Sequence, residues 1–338
     1  MSQSTNDVFP SAIHIATLNL IENLICTMFK MLIVLQKKAQ EFDHVIKIGR
    51  THLQDAVPIR LGQEFEAYSL VIERDIKRIE QSRENLYEVN MGATAIGTGL
   101  NADPSYIIKV ITHLADISGL PLKGAKNLVD ATQNTDIYTE VSSALKICMI
   151  NMSKIYNDLR LLASGPRAGL VELTLPARQP GSSIMPGKVN PVMPEKINQV
   201  AFQVIGNDHT ISLASEAGHL ELNVMEPVLV FNLLQSLTIM NNGFETFTEF
   251  CLKEIMANED RLKKYVENSV GLITAINPHI GYEKATSIAR EAIIDGKSVR
   301  QLCVNYNILL ESELNIILNP YEMTKQGISG GYLLKKSK

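Results

Sequence analysis

Apolar residues return every three or four positions over long stretches of this chain, and the breaks between those stretches are short. Across 11–38, Ile13, Leu20, Ile21, Leu24, Ile25, Met28 and Leu32 follow helical spacing, and Pro10 suits a helix start. A second helix is predicted over 62–86, with Glu73-Arg74-Asp75 and Lys77-Arg78 as a solvated face. Asp103 as N-cap and Pro104 as first helical residue predict a helix over 104–117. Further long helices are predicted over 135–163, 191–215 and 225–256. Pro194 and Pro227 fall in the first turns of the last two, where proline is tolerated.

Three breaks are predicted to be irregular: Gly49 to Pro58, the glycine-threonine stretch Gly92 to Gly99, and Pro180 to Pro191. After Asn258 the segments shorten, with turns at Asn277-Pro278, Ile294-Asp295-Gly296 and Asn319-Pro320. No strand-like alternation and no repeat is apparent. The predicted class is therefore all-α, a central long-helix bundle domain over 1–258 with a small C-terminal helical domain over 259–338. Five long helices apolar on more than one side fit burial between subunits, with a large monomeric bundle as the alternative.

Composition narrows the function classes. The chain has 338 residues, 45% hydrophobic and 20% charged, with a net charge of -4. Acids and bases are mixed, so neither a nucleic-acid footprint nor an acidic tail is predicted. Cys26, Cys148, Cys251 and Cys303 are far apart, which favours buried reduced thiols over disulfides or zinc. The most apolar run, 21–35, includes Glu22, Asn23 and Lys30, so no bilayer span is expected. With no signal-peptide pattern at the start, the expected location is cytoplasmic.

The break at 180–191 holds three prolines and two glycines, together with Ser182, Ser183, Lys188 and Asn190. It is not a P-loop, because five residues separate Gly181 and Gly187 and Val189 follows Lys188. The Gly92 to Gly99 stretch has the wrong spacing for a dinucleotide loop. Ser4-Thr5-Asn6, Thr51-His52 and Thr94 to Thr98 are the other polar clusters at breaks. Hydroxyls, amides, an imidazole and one lysine suit small carboxylates better than phosphates. Each residue alone has a plainer reading: capping for Ser4, Thr5 and Asn6, a turn histidine for His52, and a dipole partner for Glu195.

Together these segments carry a resemblance. Gly181-Ser182-Ser183-Ile184-Met185-Pro186-Gly187-Lys188-Val189-Asn190-Pro191 is similar to the signature of the aspartase/fumarase superfamily. Ser4-Thr5-Asn6-Asp7 and Gly49-Arg50-Thr51-His52-Leu53-Gln54-Asp55-Ala56 resemble two further regions of that family. Leu175 to Pro180, Asn190-Pro191-Val192 and Asp130 to Asp136 resemble its aspartate ammonia-lyase branch.

The resemblance implies an all-helical homotetramer with composite sites from three subunits, a dicarboxylate substrate (L-aspartate or fumarate), and no cofactor or metal. It implies Ser182 as catalytic base on a mobile loop. It implies Lys188, Asn190 and Thr51 on the α-carboxylate, and Ser4, Thr5 and Ser183 on the β-carboxylate. Asn6 and His52 are implied at the amino group, with Glu195 orienting His52. Fumarate hydratase is the alternative activity, and a silent subunit that only assembles with partners is another. Family members carry an N-terminal domain before the Ser-Thr-Asn motif, whereas Ser4 here follows three residues. His219 stands where Gln is more usual, and a packing role in a bundle-facing helix is expected for it.

Overall fold

A computed structural model describes residues 3–335. In chain order the elements are α1 (Thr5–Glu41), β1 (Ile46–Thr51), β2 (Gln54–Arg60), α2 (Leu61–Ser82), β3 (Glu88–Val89), α3 (Pro104–Ser118) and β4 (Lys123–Gly124). They continue with α4 (Asp130–Gln133), α5 (Asp136–Leu162), β5 (Leu173–Thr174), α6 (Val192–Glu216), α7 (Glu226–Phe250) and β6 (Met256–Ala257). Short helices follow: α8 (Glu259–Asn268), α9 (Ile273–Ile280), α10 (Tyr282–Asp295), α11 (Val299–Asn305), α12 (Glu311–Ile317) and α13 (Pro320–Met323). The predicted all-α class holds, with one correction: the stretch expected to be irregular at Gly49 to Pro58 is an antiparallel hairpin of β1 and β2.

The chain divides into two compact units. The first comprises the chain up to Val34, Ser69–Arg160 and Pro176–Glu254. Its core is built from the apolar faces of the long helices, including Ile21, Leu24, Met28, Ile72, Leu145, Ile197, Leu233 and Phe244, all fully buried. Tyr156 and Phe247 meet edge to face at 4.5 Å, tying α5 to α7. Two buried aspartates of this core are paired, as the burial of charge requires. Asn151 donates to both oxygens of Asp75 at 3.0 Å, joining α5 to α2. Lys146 at 2.6 Å and Ser142 at 2.9 Å do the same for Asp208, joining α5 to α6.

Helix α1 starts at Thr5, ahead of the predicted Ser11, and carries Pro10 inside it. Proline cannot donate to the carbonyl four residues back. That carbonyl, on Asn6, instead accepts from Asn90 Nδ2 at 2.9 Å, so the helix runs through Pro10 without an orphaned acceptor. By length and composition α1 could cross a membrane, contrary to the sequence expectation, but half of its most apolar window is packed inside the protein. Asp103 caps α3 as predicted, its side chain accepting from the Ser105 amide. His219 departs from expectation: it is exposed in a turn, bridged to Leu222, beyond the end of α6. Of the four cysteines, three are buried and Cys26 is exposed, all free.

The second unit comprises Leu35–Tyr68, Leu161–Leu175 and the chain from Ile255 onward. Ile48 of β1 packs in one apolar cluster with Leu272, Ile276, Ile288, Val299, Leu302, Leu314 and Ile317. Beneath the hairpin lies a charge network. The fully buried Glu172 meets Lys47 at 3.1 Å and Arg50 at 2.6 Å, and Lys47 also meets Glu64 at 3.0 Å. Two cations against two acids leave no uncompensated buried charge.

The first unit also buries His14, whose Nδ1 lies 2.9 Å from the Leu86 carbonyl. Desolvation by burial outweighs that bond and pushes the imidazole from 6.5 down to about 4. The folded state therefore binds fewer protons than the unfolded one between these values, and stability is lost as pH falls through that window. Denaturation of wild type and His14→Gln from pH 7 to pH 4 should show the wild type losing on the order of 3 kcal/mol more than the variant. Parallel curves would show that His14 does not titrate as its burial requires.

Candidate active site

Each polar segment singled out in the sequence lies where a helix or strand ends, and each is fastened by hydrogen bonds of its own. At the N-terminal start of α1, the Ser4 amide donates to Asp7 Oδ1 at 3.0 Å and the Asn6 amide donates to Ser4 Oγ at 3.2 Å. This is a reciprocal cap that satisfies free amides of the first turn. Asp7 is fully buried, and its other oxygen accepts from the amides of Gly92 and Thr94 at 3.2 and 3.0 Å. Asn6 Nδ2 donates to the Ala95 carbonyl at 2.7 Å. The structure thus brings Ser4, Thr5 and Asn6 together with the Gly92 to Gly99 stretch. In that stretch Gly97 is required by close approach: a Cβ there would lie 2.3 Å from Val129 Cα.

The 180–191 loop is closed by its own backbone. The Ser182 amide donates to the Lys188 carbonyl at 3.1 Å, and the Lys188 amide to the Met185 carbonyl at 3.1 Å. At the neck, any Cβ on Gly181 would sit 2.3 Å from the Lys188 carbonyl oxygen, so only glycine fits. Ser182 Oγ accepts from the amides of Ile184 and Met185 at 3.3 and 3.2 Å. Two amide donors on one hydroxyl oxygen favour its anionic form. Ile184, Met185, Lys188 and Val189 are exposed, and Asn190 is half-buried. Arg178 fastens the segment before the loop to the end of α7, bonding the Phe250 carbonyl at 2.5 Å and pairing with Glu254. Glu195, in the first turn of α6, lies 3.6 Å from Arg160.

Thr51 and His52 belong to the second unit and sit at the tip of the β1–β2 hairpin. Strand pairing ends at Thr51 opposite Gln54, leaving His52 and Leu53 as a two-residue turn. Both have positive φ, 53° and 60°, the geometry of a type I′ turn that Asn-Gly adopts with least cost. Thr51, His52 and Leu53 are exposed. The hairpin is held from two sides. Arg50, next to Thr51, is anchored on Glu172. Asp55 accepts from Ser269 Oγ at 2.9 Å, and Gly271 packs against the Ala56 carbonyl where no Cβ would fit.

Sequence reasoning passed over Asp7, Asn90 and Arg178, because a buried acid, an amide and a loop anchor carry no motif of their own. The one available signal for Asp7 was its place directly after Ser4-Thr5-Asn6. Among the described residues, no cluster of three or more His, Cys, Asp or Glu is arranged to hold a metal.

A lyase family model matches residues 1–206, and a model of the fumarase C C-terminus matches residues 272–325. The aspartate ammonia-lyase of Bacillus subtilis is 76% identical over 336 residues, which is 99% of this chain and 71% of that protein. The aspartate ammonia-lyase of Helicobacter pylori strain 26695 is 50% identical over 95% of this chain and 69% of that protein. Among solved structures, a fumarate lyase:delta crystallin from Brucella melitensis superposes with a TM-score of 0.93 at 46% identity. It covers 96% of this chain and 70% of that one. The class II fumarase of Schistosoma mansoni gives 0.89 at 33% identity, over 96% of this chain and 71% of that one.

The turn geometry carries a measurable cost. Leucine at φ 60° is disfavoured by Cβ sterics, whereas glycine is not. Leu53→Gly should stabilise the chain by about 0.5–1 kcal/mol in urea denaturation, since the exposed Leu53 side chain contributes little burial. A clear loss of stability would instead assign the Leu53 side chain a packing role.

Proposed function

The chain belongs to the aspartase/fumarase superfamily, and from that premise we propose that it deaminates L-aspartate reversibly to fumarate and ammonia. The observation that carries this is the 76% identity to an aspartate ammonia-lyase across 99% of the chain. The loop 180–191 supports it, since Ser182 is held there by two amides in the manner a base would need. The activity class is that of a carbon–nitrogen lyase.

The chemistry sets clear demands. A proton must leave Cβ of aspartate, where it is only weakly acidic. The electron pair has to flow into the β-carboxylate as an aci form before the Cα–N bond breaks. In the proposed cast, Ser182 takes the proton. Serine is a poor base unless its alkoxide is stabilised, and the amides of Ile184 and Met185 are donors suited to that. Ser4, Thr5 and Ser183 donate to the β-carboxylate as its charge grows. Lys188, Asn190 and Thr51 hold the α-carboxylate, with Lys188 supplying the charge-assisted contact. Asn6 and His52 receive the amino group, and Glu195 orients His52.

A homotetramer, with each site drawn from three protomers, completes the proposal. Large apolar side chains exposed on the long helices support it: Phe29 at 44%, Phe202 at 64% and Phe231 at 63%. Large aromatic side chains are costly to leave in water, and in the proposed assembly a further copy of the chain would cover them. The expected location is the cytoplasm, with no nucleic-acid or membrane partner.

Ammonia release from L-aspartate, measured beside malate formation from fumarate, separates this activity from hydration. Ammonia should form and malate should not. Ser182→Ala should lower deamination by roughly a hundredfold or more while the assembly, read by sedimentation, is unchanged. A variant that turns over at the wild-type rate removes Ser182 from the base role. Malate formation without ammonia assigns the chain to the hydratases.

A further inference from the structure

The Gly92 to Gly99 stretch has no role in the proposed cast, yet it is built with care. Thr94 is β-branched, buried and held at φ 60°, a conformation such residues avoid. What holds it is the bond from its amide to Asp7, whose carboxylate has no exposed surface and accepts three amides, one from the adjoining Ser4 and two from the Gly92 to Gly99 stretch. The next residue, Ala95, presents its carbonyl to Asn6 Nδ2 at 2.7 Å. Asn90 Nδ2 fixes the Asn6 carbonyl at 2.9 Å and bonds Thr132 Oγ1 at 3.0 Å, while Asn90 Oδ1 accepts from Ser11. The main chain and the side chain of Asn6 are therefore both pinned.

The consequence lies in which atom of Asn6 remains. The reversed amide would place Oδ1 against the Ala95 carbonyl oxygen, two acceptors facing each other, so the orientation is dictated. With Nδ2 turned to the Ala95 carbonyl, Oδ1 is the acceptor left to meet a ligand, and Thr5 Oγ1 donates to it at 3.4 Å. Oδ1 is purely an acceptor. It suits a leaving group with N–H donors and penalises an anionic oxygen in the same place.

We propose that Asp7 is a positioning residue for ammonia specificity: it shapes the Gly92 to Gly99 stretch so that the Ala95 carbonyl holds Nδ2 and turns the Asn6 acceptor oxygen, Oδ1, to the amino group. This rests on the site reading given above, in which Asn6 meets that group. Asp7 itself touches no substrate. An Asp7→Asn side chain has one uncharged oxygen in place of a carboxylate that fills three amides, so it sets an NH2 against at least one backbone amide and loosens the hold on the stretch.

The test uses the full chain, with Asp7→Asn compared to wild type. Hydrogen exchange at the Gly92 and Thr94 amides should accelerate by at least about tenfold, because these are the donors to Asp7. In the amination of fumarate, the KM for ammonia should rise by about tenfold or more, and the KM for fumarate by less. Asp75→Asn, which breaks another buried pair in the same unit, should lower the melting temperature and leave the KM for ammonia alone. A general loss of stability therefore cannot imitate the result. If Asp7→Asn does not fold, Asn90→Ala releases the Asn6 carbonyl and should raise the KM for ammonia by about threefold or more. Wild-type exchange or an unchanged ammonia KM in Asp7→Asn overturns the proposal. If Asn6→Ala raises that KM while Asp7→Asn does not, the proposal falls and the site reading stands. If Asn6→Ala leaves it unchanged, both fall.

Discussion

An α-helix commits nearly every backbone amide to itself, and in a chain made mostly of long helices that leaves few donors for anything else. The chemistry proposed here needs many donors around one small dianion. They are found where the helices and the one hairpin stop: before α1, between α2 and α3, at the β1–β2 turn and ahead of α6. Irregular backbone is not rigid by itself. Each of these breaks is accordingly tied down by an anchor, the buried Asp7 for the first two, the buried Glu172 for the hairpin, and the more exposed Arg178, bonded to the end of α7, for the loop.

The anchors share a physical logic. A buried carboxylate is costly unless its lone pairs are filled, and once filled it is hard to move. Asp7 fills its lone pairs with three neutral amides, while Glu172 is compensated by the charges of a lysine and an arginine. The difference suits the elements they hold. Amide donors fix backbone directly, which an irregular stretch without long side chains requires. A pair of cations reaches Glu172 from positions three apart on β1, which the strand can offer because Lys47 and Arg50 straddle the bulge after Ile48.

Much of the fold was legible from periodicity alone. The long helices follow from the three-to-four residue return of Ile, Leu and Met, and Asp103-Pro104 placed the start of α3 correctly. The hairpin was missed for a physical reason. Its turn is His52-Leu53 rather than Asn-Gly, and Pro58 lies inside β2, so both usual signals are absent. The early start of α1 was hidden by Pro10, whose missing donor is made good by Asn90, eighty positions away in sequence. His219 was expected in a bundle-facing helix, but α6 ends at Glu216, the backbone turns at Ala217 and Leu220 takes φ 52°. The polar clusters themselves were visible. Their anchors were not, because a buried acid is recognised only by what surrounds it.

Strain follows the same map. Outside glycine, positive φ angles fall on His52 and Leu53, and on Thr94, all within the segments discussed. Of the others, Asn101 and Asn307 are asparagines that tolerate this region, Val171 adjoins the buried Glu172, and Leu220 lies in the turn after α6. Leucine and threonine do not, and each such residue costs on the order of 1–3 kcal/mol. Such geometry persists only where the surroundings over-determine it, and here they do: Arg50 and Asp55 grip the hairpin on either side of its turn, and Asp7 grips the amide of Thr94 itself. The stability given up at these turns is the physical counterpart of holding an imidazole and an amide oxygen where unstrained backbone would not put them.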